Sequence, residues 1–336
     1  MNIAINGFGR IGRATFKALL EKKSNVNIVA INDLTDTKTL AHLLKYDSCY
    51  GIYDKKVDFT ADSLVIAGKK YKVLAERDPS QLPWREMEVD IVLECTGRFV
   101  KKEDATLHIK AGAKKVIISA PAKGDDVKTI VLGVNENKIA KNDKILSMAS
   151  CTTNCLAPVT EIFRRNFGIK KAIMTTVHSY TADQNIVDGP HKDLRRARAA
   201  ALNIVPTTTG AAIAVTKTIP SLKDRFDGMA IRVPTPVGSL CDIVFISGKK
   251  TDEKTVNKAF KQAGKSARFK GILEATEEPI VSTDIVGNPA SAIVDLSLTK
   301  VIDGDLVKVI AWYDNEWGYS NRLVDLCGYI EKRKLI

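Results

Sequence analysis

At 336 residues the chain is long enough for a large core and, on length, for about two domains. Its 45% hydrophobic and 27% charged residues are ordinary for a soluble globular protein. No apolar run reaches the length of a membrane span, and the sequence enters a strand-like stretch (MNIAIN) at once, so neither span nor leader is expected and the cytoplasm is the expected location. Six cysteines scattered over so long a chain argue against a disulfide framework. The net charge of +12 fits nucleic acid, anionic substrates or plain solubility equally well.

In chain order, NIAING, NIVAIND, DIVLECTG, KKVIISAP and KILSMAS are short apolar runs separated by helical patterns such as RIGRATFKALLEKK and KKEDATLHIKAGA. That alternation predicts a doubly wound parallel sheet over residues 1–150. Gly7, Phe8, Gly9, Arg10, Ile11 and Gly12 fit Gly-x-Gly-x-x-Gly between the first strand and the first helix. The glycines permit a tight turn and close approach to a pyrophosphate, and the helix start supplies N–H groups. Asp33 ends the next strand, about 20 residues on, where a carboxylate accepts from an adenosine ribose and repels a 2′-phosphate. A dinucleotide site with NAD preferred over NADP is expected. Two further strand ends, Glu94 to Gly97 and Ser119 to Pro121, reach the same carboxyl edge, although each alone also reads as a plain turn.

Next comes SCTTNC, with Cys151 behind Ser150 at a helix start. The cysteine spacing is wrong for a metal knuckle, and no metal site is expected. A hydroxyl there caps N–H groups, and a helix terminus lowers a thiol's pKa towards the reactive range. Cys155, one turn deeper, reads as packed and inert. Pro158 fits that helix poorly, because in an interior turn it removes a hydrogen bond.

Beyond Cys151 the strand candidates lengthen: KKAIMTTVHSYT, DGMAIRVP, SLCDIVFIS, SAIVDLSLTKV and LVKVIAWYD. Asp303-Gly304 joins the last two as a hairpin. These predict a second, α+β domain over residues 151–316 with a largely antiparallel or mixed sheet, and residues 317–336 read as a closing helix that completes the first domain. Of the four histidines, His178 ends a strand among hydroxyls; it reads either as a base for Cys151 or as an ordinary satisfied polar residue. PTTTGAA, LRRARAAA and Arg232 are anion-binding candidates. With almost no aromatics interleaved, the arginines do not make a base-stacking surface.

INGFGRIGR, SCTTNC, HSYT, HKDLRRARAAA, RVPTP and WYDNEWGYSNR in this order resemble the phosphorylating glyceraldehyde-3-phosphate dehydrogenase family over essentially the whole chain. The resemblance implies that Cys151 attacks an aldehyde to give a hemithioacetal, with His178 lowering the thiol pKa and acting as base. Hydride transfer to NAD would leave a thioester for inorganic phosphate to release. It implies Thr181, Asp183 and Arg232 for the phosphate of glyceraldehyde 3-phosphate, and Ser150, Thr152, Thr209 and Gly210 for the attacking phosphate. Arg196 belongs to a basic loop near the phosphates, with the inward residue among Arg195, Arg196 and Arg198 left open. To the cofactor residues it adds Arg77, Thr96, Gly97, Ser119, Asn315 and Tyr319. A homotetramer is implied, with the loop of residues 180–204 reaching a neighbour's cofactor, and no membrane or dedicated nucleic-acid site.

Two departures stand out. Gly189 replaces a common leucine beside the ribose, which relaxes the expected exclusion of NADP, and VPTPVGSLCD differs from a common VPTPNVSVVD. The rival readings are erythrose-4-phosphate dehydrogenase and a catalytically inactive nucleic-acid-binding protein. Asp33, where the erythrose enzymes tend to have Glu, and TTTGAA, which holds attacking phosphate, count against the first. The second leaves Cys151 and His178 unexplained.

Overall fold

The computed structural model describes residues 1–22 and 26–336. The chain divides into two compact units. One comprises Met1–Ile130, Asn137–Ala149 and Ser320–Ile336, and the other Val131–Glu136 and Ser150–Tyr319.

The first unit begins with β1 (Asn2–Asn6), α1 (Arg10–Glu21), β2 (Asn27–Asn32) and α2 (Thr37–Lys45). The predicted first helix extended to Lys23, which lies outside the described residues. The short β3 (Tyr46–Asp47) and β4 (Gly51–Ile52) pair with each other, and β5 (Val57–Thr60), β6 (Ser63–Ile66) and β7 (Lys69–Leu74) follow. Then come β8 (Ile91–Glu94), α3 (Lys102–Lys110), β9 (Lys115–Ile118), β10 (Lys128–Thr129) and β11 (Ile145–Ser147). The sheet order is β10-β11-β9-β8-β1-β2-β7-β6-β5. Pairing is parallel from β10 to β7 and antiparallel at β6 and β5. The parallel part follows from its sequence: strands such as IVLE and KVII are buried at every position, as a sheet covered on both faces requires. The antiparallel edge left weaker signals, because β5 is largely exposed and has no apolar run.

The second unit contains α4 (Cys151–Phe167), β12 (Ile169–Ser179), β13 (Val205–Thr208), α5 (Ala211–Thr218), β14 (Phe226–Val233) and β15 (Ser239–Ser247). It continues through α6 (Glu253–Lys265), β16 (Leu273–Thr276), β17 (Ala292–Ile302) and β18 (Leu306–Tyr313). The last helix, α7 (Trp317–Lys332), begins here and runs on in the first unit. The sheet is mixed, β13-β14-β12-β15-β18-β17-β16, with β14 parallel to β12 and β17 parallel to β16. Asp303 and Gly304 turn the β17–β18 hairpin at φ of 46° and 72°. α4 continues through Pro158, contrary to the sequence-based expectation of a poor fit. Thr152 to Phe163 are all buried, and such tertiary burial outweighs one lost backbone bond.

Phe163 of α4 stacks on Phe245 of β15, with ring centroids 4.2 Å apart and both rings fully buried. Phe163→Ala is expected to cost about 3–5 kcal/mol, read as a lower urea midpoint by circular dichroism. An unchanged midpoint would show that the stack does not hold the second core.

Candidate active site and dinucleotide crevice

Ala149 takes a φ of 54°, a left-handed turn that costs a non-glycine residue energy and brings the chain sharply into α4. Ser150 is the N-cap, its Oγ accepting from the Thr153 amide at 3.1 Å. Cys151 is thus the first helical residue, half-buried at the helix's positive end. Its Sγ lies 3.4 Å from His178 Nε2. Parallel register sets His178 of β12 beside Arg232 of β14. Arg232 Nη1 donates to the Ser179 carbonyl at 3.0 Å and reaches Thr181 Oγ1 at 3.4 Å, while its buried Nε has no partner among the described residues.

These contacts assign the imidazole. Nδ1 faces both the Ser179 carbonyl, an acceptor at 2.7 Å, and Arg232 Nη1, a donor at 3.1 Å; because Nη1 also has that carbonyl to donate to at 3.0 Å, the shorter contact places the proton on Nδ1. Nε2 then turns its lone pair towards the thiol, the orientation a base needs. Burial opposes charge on both groups. It pushes the Cys151 thiol up to about 11, against the pull of Arg232 and the Thr152 amide, and it pushes His178 down to about 3, with Arg232 acting in the same direction. Desolvation thus opposes the lowering expected from the helix start. Proton transfer across the 3.4 Å contact is what remains to make the sulfur nucleophilic.

Tyr313, which the sequence did not single out, ties the site together. Its hydroxyl is 2.9 Å from both Thr152 Oγ1 on α4 and Thr176 Oγ1 on β12, linking the helix of the thiol to the strand of the base. Thr152 is accordingly buried and its hydroxyl engaged inside the unit. Cys155 is fully buried, its Sγ 3.8 Å from the Ala311 carbonyl.

Arg196 is the arginine of its loop that turns inward. Nε donates to Thr207 Oγ1 at 3.0 Å, Nη2 to the Thr208 carbonyl at 3.1 Å, and Nη1 pairs with Asp183. Arg195 and Arg198 are exposed, and Arg198 pairs with Asp188. Asp183, a carboxylate, enters an anion site only through Arg196. Thr209 Oγ1 accepts from the Ala211 amide at 3.2 Å, and Gly210 is the N-cap of α5. Gly189 is held by its amide, which donates to the Ala197 carbonyl at 2.9 Å. Asn315 Oδ1 accepts from the Gly238 amide at 3.1 Å and from the Ser239 and Ser179 hydroxyls. The backbone donor fixes the amide's orientation and leaves Nδ2 to donate to a ligand. Tyr319 is buried in the first turn of α7.

Within the first unit, Gly7, Gly9, Asp33, Arg77 and Thr96 line a crevice of about 340 Å³. A Cβ on Gly7, at φ +92°, would lie 2.8 Å from the Thr96 nitrogen, one on Gly12 would strike the Gly7 carbonyl, and one on Gly9 would meet nothing within 4 Å. The first turn of α1 has no acidic residue and no side-chain cap, so the positive end of the helix is not neutralised by a carboxylate of its own and suits an anion. Asp33 accepts the Phe8 amide at 2.7 Å and the Thr35 amide at 2.9 Å, one on each oxygen, with lone pairs to spare. These residues fit a dinucleotide. Phe8 and Arg10 contribute differently from a direct contact: the Phe8 ring packs on Phe16, and Arg10 pairs with Asp47 at 2.9 Å. Ile11, Gly97 and Ser119 do not line the crevice, whereas Asn6, Asn32, Glu76, Arg98 and Phe99 do. Asn6 and Asn32 each end an apolar strand, a signal that was available in the sequence.

Residues 1–102 match the family model for the glyceraldehyde 3-phosphate dehydrogenase NAD binding domain, and residues 150–315 match that for the C-terminal domain. The chain is 56% identical over 331 residues to the glyceraldehyde-3-phosphate dehydrogenase of Streptomyces coelicolor, covering 98% of each chain. It is 55% identical over 336 residues to that of Geobacillus stearothermophilus, covering 100% of this chain and 99% of the relative. Glyceraldehyde-3-phosphate dehydrogenase 1 of Bacillus subtilis is 54% identical over 336 residues, with the same coverage.

Because the Arg232 cation favours a neighbouring thiolate, Arg232→Gln is expected to raise the pH midpoint of Cys151 alkylation by about one unit or more. Iodoacetamide trapping across pH with peptide mapping reads this, and Cys155→Ser should keep the original midpoint. A midpoint unmoved in Arg232→Gln would show that Arg232 does not act on the sulfur.

Proposed function

The chain belongs to the glyceraldehyde 3-phosphate dehydrogenase family, and we propose that it oxidises glyceraldehyde 3-phosphate with NAD and inorganic phosphate to 1,3-bisphosphoglycerate. The observation that carries this reading is the 3.4 Å contact between Cys151 Sγ and His178 Nε2 at a helix start beside Arg232.

The sulfur attacks the aldehyde carbon as its proton passes to Nε2, and the ring then returns that proton to the new oxygen, giving a hemithioacetal on Cys151 and leaving Nε2 free to act as base again. The Cys151 amide and the protonated ring stabilise the developing oxyanion. Bound NAD supplies the hydride acceptor, and His178 takes the hemithioacetal hydroxyl proton. The acyl group stays on Cys151 as a thioester, which keeps the oxidation energy until a phosphate oxygen attacks the carbonyl and the sulfur leaves.

Arg232, with its orphan Nε and its Thr181 neighbour, suits the substrate's own phosphate. The Thr209–Gly210 turn and Arg196, braced by Asp183, suit the attacking phosphate, and Ser150 and Thr152 serve as cap and anchor of the nucleophile's helix. In the first unit the glycine turn, Asp33, Arg77 and Thr96 hold NAD, and Asn315 Nδ2 is suited to the nicotinamide amide, with Tyr319 near it. The first unit is thus the NAD-binding domain, completed by the C-terminal helix, and the second the catalytic domain.

A homotetramer in the cytoplasm completes the reading. Ile186, Val187, Leu194 and Leu202 are 84%, 72%, 81% and 83% exposed in one loop, more apolar surface than an isolated subunit usually leaves bare. Among the described residues, no helix is long and apolar enough to cross a membrane.

Absorbance of the reduced cofactor tests the reaction. Turnover should favour glyceraldehyde 3-phosphate over erythrose 4-phosphate and should require inorganic phosphate. Cys151→Ser should abolish it while NAD binding persists, and Arg232→Ala should lower kcat/KM at least about tenfold. Equal turnover without phosphate, yielding the free acid, would point to erythrose 4-phosphate oxidation instead.

A further inference from the structure

A second imidazole, His108 of α3, is fully buried in the first unit, with its Nε2 3.1 Å from Oε2 of the equally buried Glu94 at the end of β8. Trp84 Nε1 donates to His108 Nδ1 at 2.9 Å. Indole nitrogen only donates, so Nδ1 holds a lone pair, the ring is neutral, and its one N–H, on Nε2, donates to Glu94. The same Oε2 accepts from Asn6 Nδ2 at 2.6 Å. Oε1 accepts from the Thr96 amide at 2.8 Å and from the Thr96 hydroxyl. Four donors converge on the two oxygens of one side chain, an arrangement suited to a group that only accepts.

The bonding continues across the sheet. Asn6 Oδ1 accepts from Asn32 Nδ2 at 2.7 Å, and Asn32 Oδ1 accepts from the Glu76 amide at 2.9 Å. The carboxyl ends of β8, β1 and β2 and the segment after β7 are therefore laced together. Asn6, Asn32, Glu76 and Thr96 line the crevice, and the Thr96 backbone is what a Cβ on Gly7 would strike. For stability alone an apolar side chain would serve better than a buried carboxylate that, among the described residues, pairs with no Lys or Arg. What the carboxylate adds is direction, because its lone pairs fix where Thr96 and Asn6 stand.

We propose that Glu94, oriented by Trp84 through His108, is a positioning residue for the dinucleotide, holding Thr96 and Asn6 at the spacing the cofactor requires. This rests on the NAD reading of the crevice. Glu94→Gln is nearly isosteric but sets an NH₂ among the donors, so one of the two residues must shift.

The test is NAD binding by calorimetry together with steady-state kinetics on the full chain. Glu94→Gln is expected to raise the Kd and KM for NAD about tenfold, equivalent to about 1.4 kcal/mol. At saturating NAD, kcat and the KM for the aldehyde should hold. Adding Asn6→Asp restores an acceptor opposite the new NH₂ and within 3.4 Å of His108 Nε2, and should recover NAD affinity. If Glu94→Gln fails to fold, His108→Phe, which removes one of the four donors, is read for the same rise. A wild-type chain that bound no NAD would sink the cofactor reading itself. Wild-type binding with unchanged Kd in a folded variant, or a fall in kcat without a change in Kd, would overturn the positioning role alone.

Discussion

The chemistry at Cys151 depends on one opposition: the second unit buries a thiol, an imidazole and a guanidinium together, and burial penalises charge on each. Alone, burial would leave an inert cysteine, as it does at Cys155, whose thiol is pushed well above its ordinary range. Three things separate the two cysteines four residues apart. Cys151 stands at the helix start, it faces the Nε2 lone pair, and it lies within the field of Arg232. The sulfur and imidazole gain charge most cheaply as a pair, by moving one proton 3.4 Å, so the base must be set by structure before it can act. Ser179 and Tyr313 do that setting: one fixes the tautomer, and the other ties the strand of the base to the helix of the nucleophile.

Parallel pairing supplies the second requirement. Because β12 and β14 run the same way in register, His178 and Arg232 reach the same end of the sheet together, and β13, antiparallel on the other side, sets Val205 opposite Arg232. A one-residue slip would turn either side chain to the opposite face. In the first unit the same rule sends Asn6, Asn32 and Glu94 to a common edge as the last residues of β1, β2 and β8.

Local signals were legible in the sequence, and pairings were not. The glycine spacing and Asp33 could be read because their reasons are local, a turn and a strand end. The cap at Ser150 and the hairpin at Asp303-Gly304 were readable for the same reason. The ordered motifs made the family legible over the whole chain. Tyr313 was missed because its role depends on two elements distant in sequence, and the inward residue among Arg195, Arg196 and Arg198 stayed open because alternating arginines look alike until Thr207 and Asp183 select one. The desolvation that opposes ionisation of the thiol was not legible, because a helix start is visible in sequence and burial is not. The antiparallel edge β5 to β7 was missed because its strands are short and partly exposed.

The two ligand sites also differ in what builds them, and so in how each tolerates change. The crevice is shaped by backbone: Gly7 and Gly12, which admit no Cβ, the N-terminal end of α1, and the Thr96 amide held by Glu94. Its polar side chains act mainly by fixing main chain, as Asp33 does for Phe8 and Asn32 for Glu76. The thiol site is built from side chains whose charge states matter, so isosteric changes there alter chemistry while leaving shape intact. In the crevice an isosteric change acts by moving a wall. A carboxylate thus serves opposite ends in the two units. Asp183 holds a cation, Arg196, whereas Glu94 gathers neutral donors and in the role proposed for it steadies the backbone beside which an anion would lie.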